Sequence, residues 1–334
     1  WASLGAVPPR PDRALQTMSQ PKRDPSAPPG SAGASSLAVA LIQLEPGTDP
    51  AANRAQAETW LERALLEAPA GRRPQLLMLP EVWNAPYAVD QFAAYAEAIP
   101  PLGAQLCDGP SPSLAVVARL ARRHGVSVIA GSIPERCADG RLYNTATVVD
   151  AEGRLVARHR KVHLFDVDVP GGIRFRESDS LCAGESLTVL PAAGDPLGTG
   201  LADPPALGLL ICYDIRFAEL ALLMQQRHHC TVLACPAAFN TTTGPLHWHL
   251  VMRARALDTQ CFVLACSPAR PSREGAYPSY GHSLVVDPWG RVLAEAGTGE
   301  QVLHAEIDLA EVQRARQAIP TGHQRRHDLY RLEG

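Results

Sequence analysis

Leu207-Gly-Leu-Leu-Ile-Cys-Tyr-Asp-Ile-Arg-Phe-Ala-Glu-Leu220 is the stretch on which the fold turns. Its opening, Leu207 to Ile211, is an uninterrupted apolar run of strand length and predicts a buried strand. Beyond Cys212 the period changes. Phe217, Leu220, Ala221 and Met224 recur at helical spacing, with Ile215 and Arg216 near the start. A cysteine at a strand-to-helix turn stands where sharp backbone geometry can push its side chain into a crevice. A helix N-terminus aimed at the sulfur would favour the thiolate. Free cysteines are commonly core residues, so the position alone does not make a nucleophile. The neighbouring Arg216 and Glu219 form a polar cluster that an ordinary core thiol does not need.

Two stretches further out supply a reason for that cluster. Leu76-Leu-Met-Leu-Pro-Glu81 is an apolar run ending in a carboxylate, and His159-Arg-Lys161-Val-His-Leu places a lysine after the strand-like Arg154 to Ala157. Alone, such a carboxylate is usually a solvated turn residue and such a lysine a surface charge. Together and in this order, Leu-Pro-Glu81, Arg-Lys161-Val-His-Leu and Ile-Cys212-Tyr-Asp-Ile-Arg-Phe resemble the three signature motifs of the carbon–nitrogen hydrolase (nitrilase) superfamily. The resemblance extends from about Ser36 to Tyr330. It implies a Glu–Lys–Cys triad of Glu81, Lys161 and Cys212, an α/β fold of the four-layer αββα sandwich type, a homodimer, and no cofactor or metal.

The chemistry that such a triad performs sets requirements on each member. A thiolate attacking an amide carbonyl needs a base for its proton and donors for the oxyanion. It also needs an acid for the leaving ammonia and an activated water to clear the acyl-enzyme. Glu81 fits the acid–base role if a dry pocket raises its pKa. Lys161 fits the oxyanion as a fixed cation, with the Tyr213 backbone N–H as second donor. Glu177 matches a second glutamate that the superfamily places beside the lysine.

Longer runs narrow the resemblance. Lys161 to Pro170, Phe-Asn240-Thr-Thr-Thr-Gly-Pro245, Ser267-Pro-Ala-Arg270 and Tyr280-Gly-His-Ser are similar to the omega-amidase branch, whose substrates are 2-oxoglutaramate and 2-oxosuccinamate. An anionic substrate needs a cation, and Arg216 is the residue chosen because a guanidinium grips carboxylate through two parallel hydrogen bonds. The rival role for Arg216 is a helix-start ion pair with Glu219 or Asp214. Tyr87, Phe239 and Thr243 match positions that line the family's substrate pocket. The run Pro100 to Pro110 is longer than the family's segment there, which predicts a changed pocket rim or subunit contact. Deaminated glutathione, an N-carbamoyl compound, or no substrate at all in a scaffold that keeps only the fold remain rival readings. An intact set of Glu81, Lys161, Glu177 and Cys212 argues against the scaffold.

Composition bounds the rest. The chain of 334 residues is 46% hydrophobic, enough for one large core, and no internal repeat divides it. A net charge of −3 argues against nucleic acid or an anionic membrane as partner, and no apolar stretch reaches spanning length. The eight cysteines form no CxxC pair, which predicts reduced thiols in a reducing, cytoplasmic compartment. His228-His-Cys230 with Cys235, and His247-x-His249, are the nearest approach to metal motifs, but residues two apart on a helix do not share a face. Residues 1–35, rich in Pro, Ser, Ala and Gly, read as a disordered leader, with import through it left open. Residues 36–330 read as a single hydrolase domain.

Overall fold

The computed structural model describes residues 35–107, 109–168 and 174–333. The expected leader therefore lies outside the described residues except for Ser35. The chain begins with β1 (Ser36–Gln43), α1 (Pro50–Leu66), β2 (Leu76–Met78), the short α2 (Phe92–Tyr95) and α3 (Pro112–His124). Then come β3 (Ser127–Arg136), β4 (Leu142–Val149), β5 (Leu155–Arg160), the antiparallel pair β6 (Asp166–Asp168) and β7 (Arg174–Arg176), and β8 (Thr188–Leu190). The later half holds β9 (Leu207–Leu209), α4 (Ala218–His228), β10 (Val232–Pro236), α5 (Gly244–Thr259) and β11 (Phe262–Cys266). It closes with β12 (Leu284–Val286), β13 (Val292–Glu295), β14 (Gln301–Asp308) and α6 (Ala310–Ala318).

The strands form two six-stranded sheets, ordered β14-β1-β2-β3-β4-β5 and β13-β12-β11-β10-β9-β8. β1, β2 and β3 run parallel, as do β9, β10 and β11. Period-2 alternation decides what each face meets. Leu37, Val39 and Leu41 of β1 share a core with Leu207, Leu209, Val232, Ala234 and Phe262 of the other sheet. The alternate residues Ala40 and Ile42 instead pack with Leu61 of α1 and Leu114 and Val117 of α3. In the second sheet, Leu233 and Cys235 turn away from the shared core to meet Met224 of α4 and Trp248 and Met252 of α5. Central strands apolar on both faces need cover on both sides, and the layers are therefore α, β, β, α.

Helix ends follow local chemistry. The Asp49 carboxylate caps α1 by accepting from Ala51 N–H at 2.8 Å, with Pro50 in the first turn. Gly125, at φ 60°, ends α3 in the left-handed conformation. Several strands run beyond their apolar pattern or lack one. The apolar pattern of β3 stops at Ala130, yet the strand continues to Arg136 beyond a register shift between Ile129 and Ser132. Gly131 sits in that shift at φ 57°, and a Cβ there would lie 2.1 Å from Pro80 O. Only glycine lets β3 pass so close to the segment leading to Glu81. The β6–β7 pair carries no apolar alternation strong enough to announce it.

The long run after Pro100 packs on the turn between β4 and β5, through Gly103 N–H to Leu155 O at 2.8 Å and Leu106 N–H to Gly153 O at 3.0 Å. None of its described residues lines the crevice at Cys212. No helix among the described residues is long and apolar enough to cross a membrane. The ends of β2, β5, β9 and β10 converge on one region, and the segments leaving them carry Glu81, Lys161, Cys212 and Phe239.

Candidate active site

Cys212 opens a five-residue 3₁₀ turn, Cys212–Arg216, and α4 begins only at Ala218. The expected direct passage from strand into α-helix is thus interrupted by a tighter turn. Cys212 has φ 46°, a left-handed conformation that costs a non-glycine residue about 1–3 kcal/mol and persists only where the surroundings hold it. Asp214 supplies much of that hold. Its buried carboxylate accepts from Ile211 N–H at 3.0 Å and, across the fold, from His163 N–H at 2.9 Å. It also meets His163 Nδ1 at 2.8 Å and His159 Nε2 at 3.2 Å. A carboxylate only accepts, so both of those ring nitrogens carry protons. Burial alone would raise the Asp214 pKa, but the bonds from His159 and His163 outweigh it and hold the carboxyl well below the usual carboxylate range. The same residues flank Lys161 in sequence, so Asp214 ties the cysteine turn to the lysine segment.

That network should be costly to break. Asp214→Asn should destabilise the fold by about 3–5 kcal/mol, since it strips a buried, paired charge from partners that stay in place. Because the folded-state pKa is depressed, the stabilisation is present above the unfolded-state value of about 3.9 and is lost as pH falls through the lower folded value. Urea unfolding of both proteins at pH 7 and pH 3 measures this, and the gap between them should narrow at the lower pH.

Glu81 follows β2 in a turn stabilised by Val82 N–H donating to Ser132 Oγ at 3.1 Å. Its side chain is 0% exposed. Oε1 accepts from Lys161 Nζ at 3.0 Å and Asn144 Nδ2 at 2.9 Å and lies 3.2 Å from the Tyr87 hydroxyl, while Oε2 accepts from Ala238 N–H at 2.7 Å. The Cys212 thiol lies near enough to this carboxylate to help lower its pKa, against the rise from burial. Lys161, also 0% exposed, donates in addition to Glu177 Oε1 at 2.8 Å. Glu177 heads its own short 3₁₀ turn and accepts from the Tyr87 hydroxyl at 2.7 Å and Phe165 N–H at 2.7 Å.

Charge bookkeeping explains the resting state. With the thiol neutral, Glu81, Glu177 and Lys161 sum to one buried negative charge surrounded by donors. Burial pushes the Glu81 pKa up, Lys161 pulls it back, and Glu177 adds to the rise, leaving it above its ordinary value. Burial opposes a charged Lys161, but Glu177 and Glu81 more than offset that and hold the ammonium well above its usual pKa. Burial and then Glu81 drive the Cys212 thiol well up, against the opposite pull of Lys161. The expected helix-dipole activation of a resting thiolate is therefore not what this site provides. Passing the thiol proton to Glu81 keeps the buried charge unchanged, whereas losing it to water would add a second negative charge. The arrangement can make a thiolate on demand.

Phe165, Tyr213, Arg216, Phe239, Thr243 and Tyr277 are among the residues enclosing Cys212 in a narrow crevice. Its free space is about 10 Å³, room for roughly one water. A larger cavity of about 280 Å³ adjoins it and reaches Glu81, Tyr87 and Tyr277. Thr243 Oγ1 and backbone N–H are both tied to Asn240 Oδ1, at 3.2 and 2.8 Å. Tyr87 does more than line a wall, because its hydroxyl bridges toward the two glutamates, and its ring lies tilted against Tyr277 with centroids 4.6 Å apart. The Tyr213 N–H lies in the first turn of the 3₁₀ segment, where backbone donors lack a partner within the turn.

Arg216 makes no ion pair with Glu219 or Asp214 among the described residues. Its guanidinium lies 4.5 Å from the Phe239 ring centroid, and Nη1 meets His247 Nδ1 at 3.1 Å. His249 points elsewhere, to Glu295 Oε1 at 2.9 Å, as the spacing required. No group of three or more metal-ligating side chains occurs among the described residues. Asn144, Tyr277 and the Ala238 N–H escaped the sequence reading. Asn144 lies on a wholly buried strand and its polar side chain was the available signal, whereas a backbone donor leaves none.

Lys161, Glu81 and Glu177 thus form one buried cluster beside the Cys212 thiol. Residues 38–317 fit the carbon–nitrogen hydrolase family. The chain belongs to that family. It is 43% identical over 296 residues to an omega-amidase of Saccharomyces cerevisiae, covering 88% of this chain and 94% of the relative. It is 44% identical over 294 residues to a chloroplastic omega-amidase of Arabidopsis thaliana, covering 88% of this chain and 73% of that one. Among solved structures, Saccharomyces cerevisiae Nit3, a member of branch 10 of the nitrilase superfamily, superposes with a TM-score of 0.74 at 40% identity, over 87% of this chain and 97% of that one. The four-layer sandwich of this family is the architecture described above.

Proposed function

We propose that this carbon–nitrogen hydrolase is an omega-amidase that cleaves the terminal amide of 2-oxoglutaramate or 2-oxosuccinamate, releasing ammonia and 2-oxoglutarate or oxaloacetate. The observation that carries this reading is a buried thiol–glutamate–lysine cluster opening on an arginine. Similarity to omega-amidases over most of the chain supports the substrate class.

In the proposed mechanism Cys212 Sγ attacks the amide carbon as its proton passes to Glu81. Lys161 Nζ has one donor left after serving the two glutamates, and with the Tyr213 N–H it holds the oxyanion. Collapse breaks the C–N bond, and Glu81 returns the proton to the departing ammonia, leaving a thioester. Water then gives a proton to Glu81 while its oxygen attacks the thioester carbon. The C–S bond breaks, the acid leaves, and the sulfur regains its proton. Glu177 keeps Lys161 in place throughout.

The far carboxylate of the substrate would lie on Arg216, with Thr243 and Phe239 beside it. Arg216→Lys should then lower kcat/KM for the 2-oxo monoamide roughly ten- to a hundredfold, because the planar two-donor fork is lost although the charge stays. An uncharged amide should suffer far less. Equal loss on both would remove the carboxylate from Arg216.

Ammonia release from 2-oxoglutaramate and from deaminated glutathione, measured side by side, tests the assignment. Preference for 2-oxoglutaramate is expected; preference for deaminated glutathione would transfer the protein to the neighbouring amidase activity. A homodimer is also proposed, supported by Leu246, Leu250 and Leu257, which stand 68%, 66% and 54% exposed along α5. Eight free cysteines support a reducing, cytoplasmic setting.

A further inference from the structure

We infer that His247 is a specificity-positioning residue: its neutral imidazole holds the Arg216 guanidinium in the orientation that grips an anionic substrate. This inference rests on the omega-amidase reading and names a residue outside the crevice wall. His247 lies on the first turns of α5 and is half-buried behind Arg216, so it does not line the space in front of Cys212.

The hydrogen-bond chemistry at this contact has one solution. A guanidinium has donors and no acceptor, so the 3.1 Å contact from Arg216 Nη1 requires a lone pair on His247 Nδ1. The ring therefore carries its proton on Nε2 alone. Two constraints then fix the guanidinium. Phe239, 4.5 Å from the guanidinium carbon, supports one face, and the His247 bond pins Nη1 against swinging within the plane. Neither Nε nor Nη2 of Arg216 has a hydrogen-bond partner among the described residues. Those two donors point along one edge in the parallel geometry that a carboxylate accepts. An unheld arginine side chain samples many rotamers and must lose that freedom on binding, whereas His247 removes it beforehand.

The test compares His247→Leu, His247→Asn and Arg216→Met on 2-oxoglutaramate and on its uncharged methyl ester. His247→Leu removes the acceptor, and His247→Asn can replace it because an asparagine amide oxygen reaches close to the Nδ1 position. For His247→Leu, kcat/KM on the anion should fall by about tenfold, chiefly through KM, with a much smaller loss on the ester. His247→Asn should recover to within about threefold of the wild type. Equal losses on both substrates, no recovery with Asn in a protein of normal melting temperature, or an unchanged KM for the anion would each overturn the positioning role. If Arg216→Met discriminates between the substrates and His247→Leu does not, this inference alone fails. If Arg216→Met affects both substrates equally, the carboxylate-binding role of Arg216 fails and the His247 role falls with it.

Discussion

Cys212→Ser should reduce turnover on the order of 10⁴-fold or more, while the melting temperature stays within about 3 °C of the wild type. The hydroxyl is too weak a base-activated nucleophile to replace the thiol, and the substitution barely changes volume at a position that is 5% exposed. A companion measurement distinguishes this thiol from the others. Cys107 is exposed and Cys137 and Cys182 are partly so, while Cys230, Cys235, Cys261 and Cys266 are buried. A haloacetamide should nevertheless inactivate through Cys212, because its amide group can occupy the crevice while Glu81 takes the thiol proton. Inactivation should track label at Cys212 and be blocked by substrate; label at Cys107 should have no effect on rate. Burial holds the resting thiol well above its ordinary pKa, so alkylation needs Glu81 to take the proton, and the labelling rate should fall when Glu81 is changed to Gln even though that change also removes a charge that raises the thiol pKa. An active Ser variant, or inactivation that follows label on another cysteine, would end the nucleophile assignment.

How far this site could be read from sequence depends on the kind of contact involved. Glu81, Lys161 and Cys212 each end or follow an apolar run, and a strand that ends in a charge inside a folded protein is visible in one dimension. Their mutual distances are not, because β2, β5 and β9 belong to two different sheets. Only the family resemblance placed them together, and the structure puts Lys161 Nζ 3.0 Å from Glu81. Arg216 shows the opposite case. Local sequence offered Glu219 and Asp214 as partners, but the 3₁₀ turn directs Asp214 back to Ile211 N–H and across to His163. The guanidinium instead meets His247, 31 positions away on α5. The central strands were legible as apolar runs, which β1 keeps from Leu37 to Ile42. The apolar pattern of β3 stops before the strand does, because Gly131 breaks it at the point where the strand must clear Pro80.

Glu81→Gln and Lys161→Met should each lower kcat by about 10²–10⁴-fold, and they should do so for different reasons. Gln keeps the shape of Glu81 and can still accept from Ala238 N–H or Asn144, so binding should change little. It cannot take a proton at neutral pH, so both the attack and the departure of ammonia lose their carrier. The removed charge also leaves Lys161 with Glu177 alone, a balanced pair, and the fold should tolerate it. Lys161→Met removes the cation between two carboxylates, whose oxygens lie 3.0 and 2.8 Å from Nζ. Two buried like charges then face each other, and one should take up a proton. That variant should lose stability as well as rate, by about 3–5 kcal/mol at neutral pH, with the deficit shrinking as pH falls and the carboxyls protonate in both folded and unfolded chains. Urea unfolding separates the two, and single-turnover kinetics reads the two chemical steps. Glu81→Gln should slow formation of the thioester and also its hydrolysis, whereas Lys161→Met should raise both barriers through the oxyanion while leaving Glu81 able to carry protons. If Glu81→Gln formed and cleared the thioester at the wild-type rate, the proton carrier would have to be another group, and the Tyr87 hydroxyl and Glu177, 2.7 Å apart, would be the next to test.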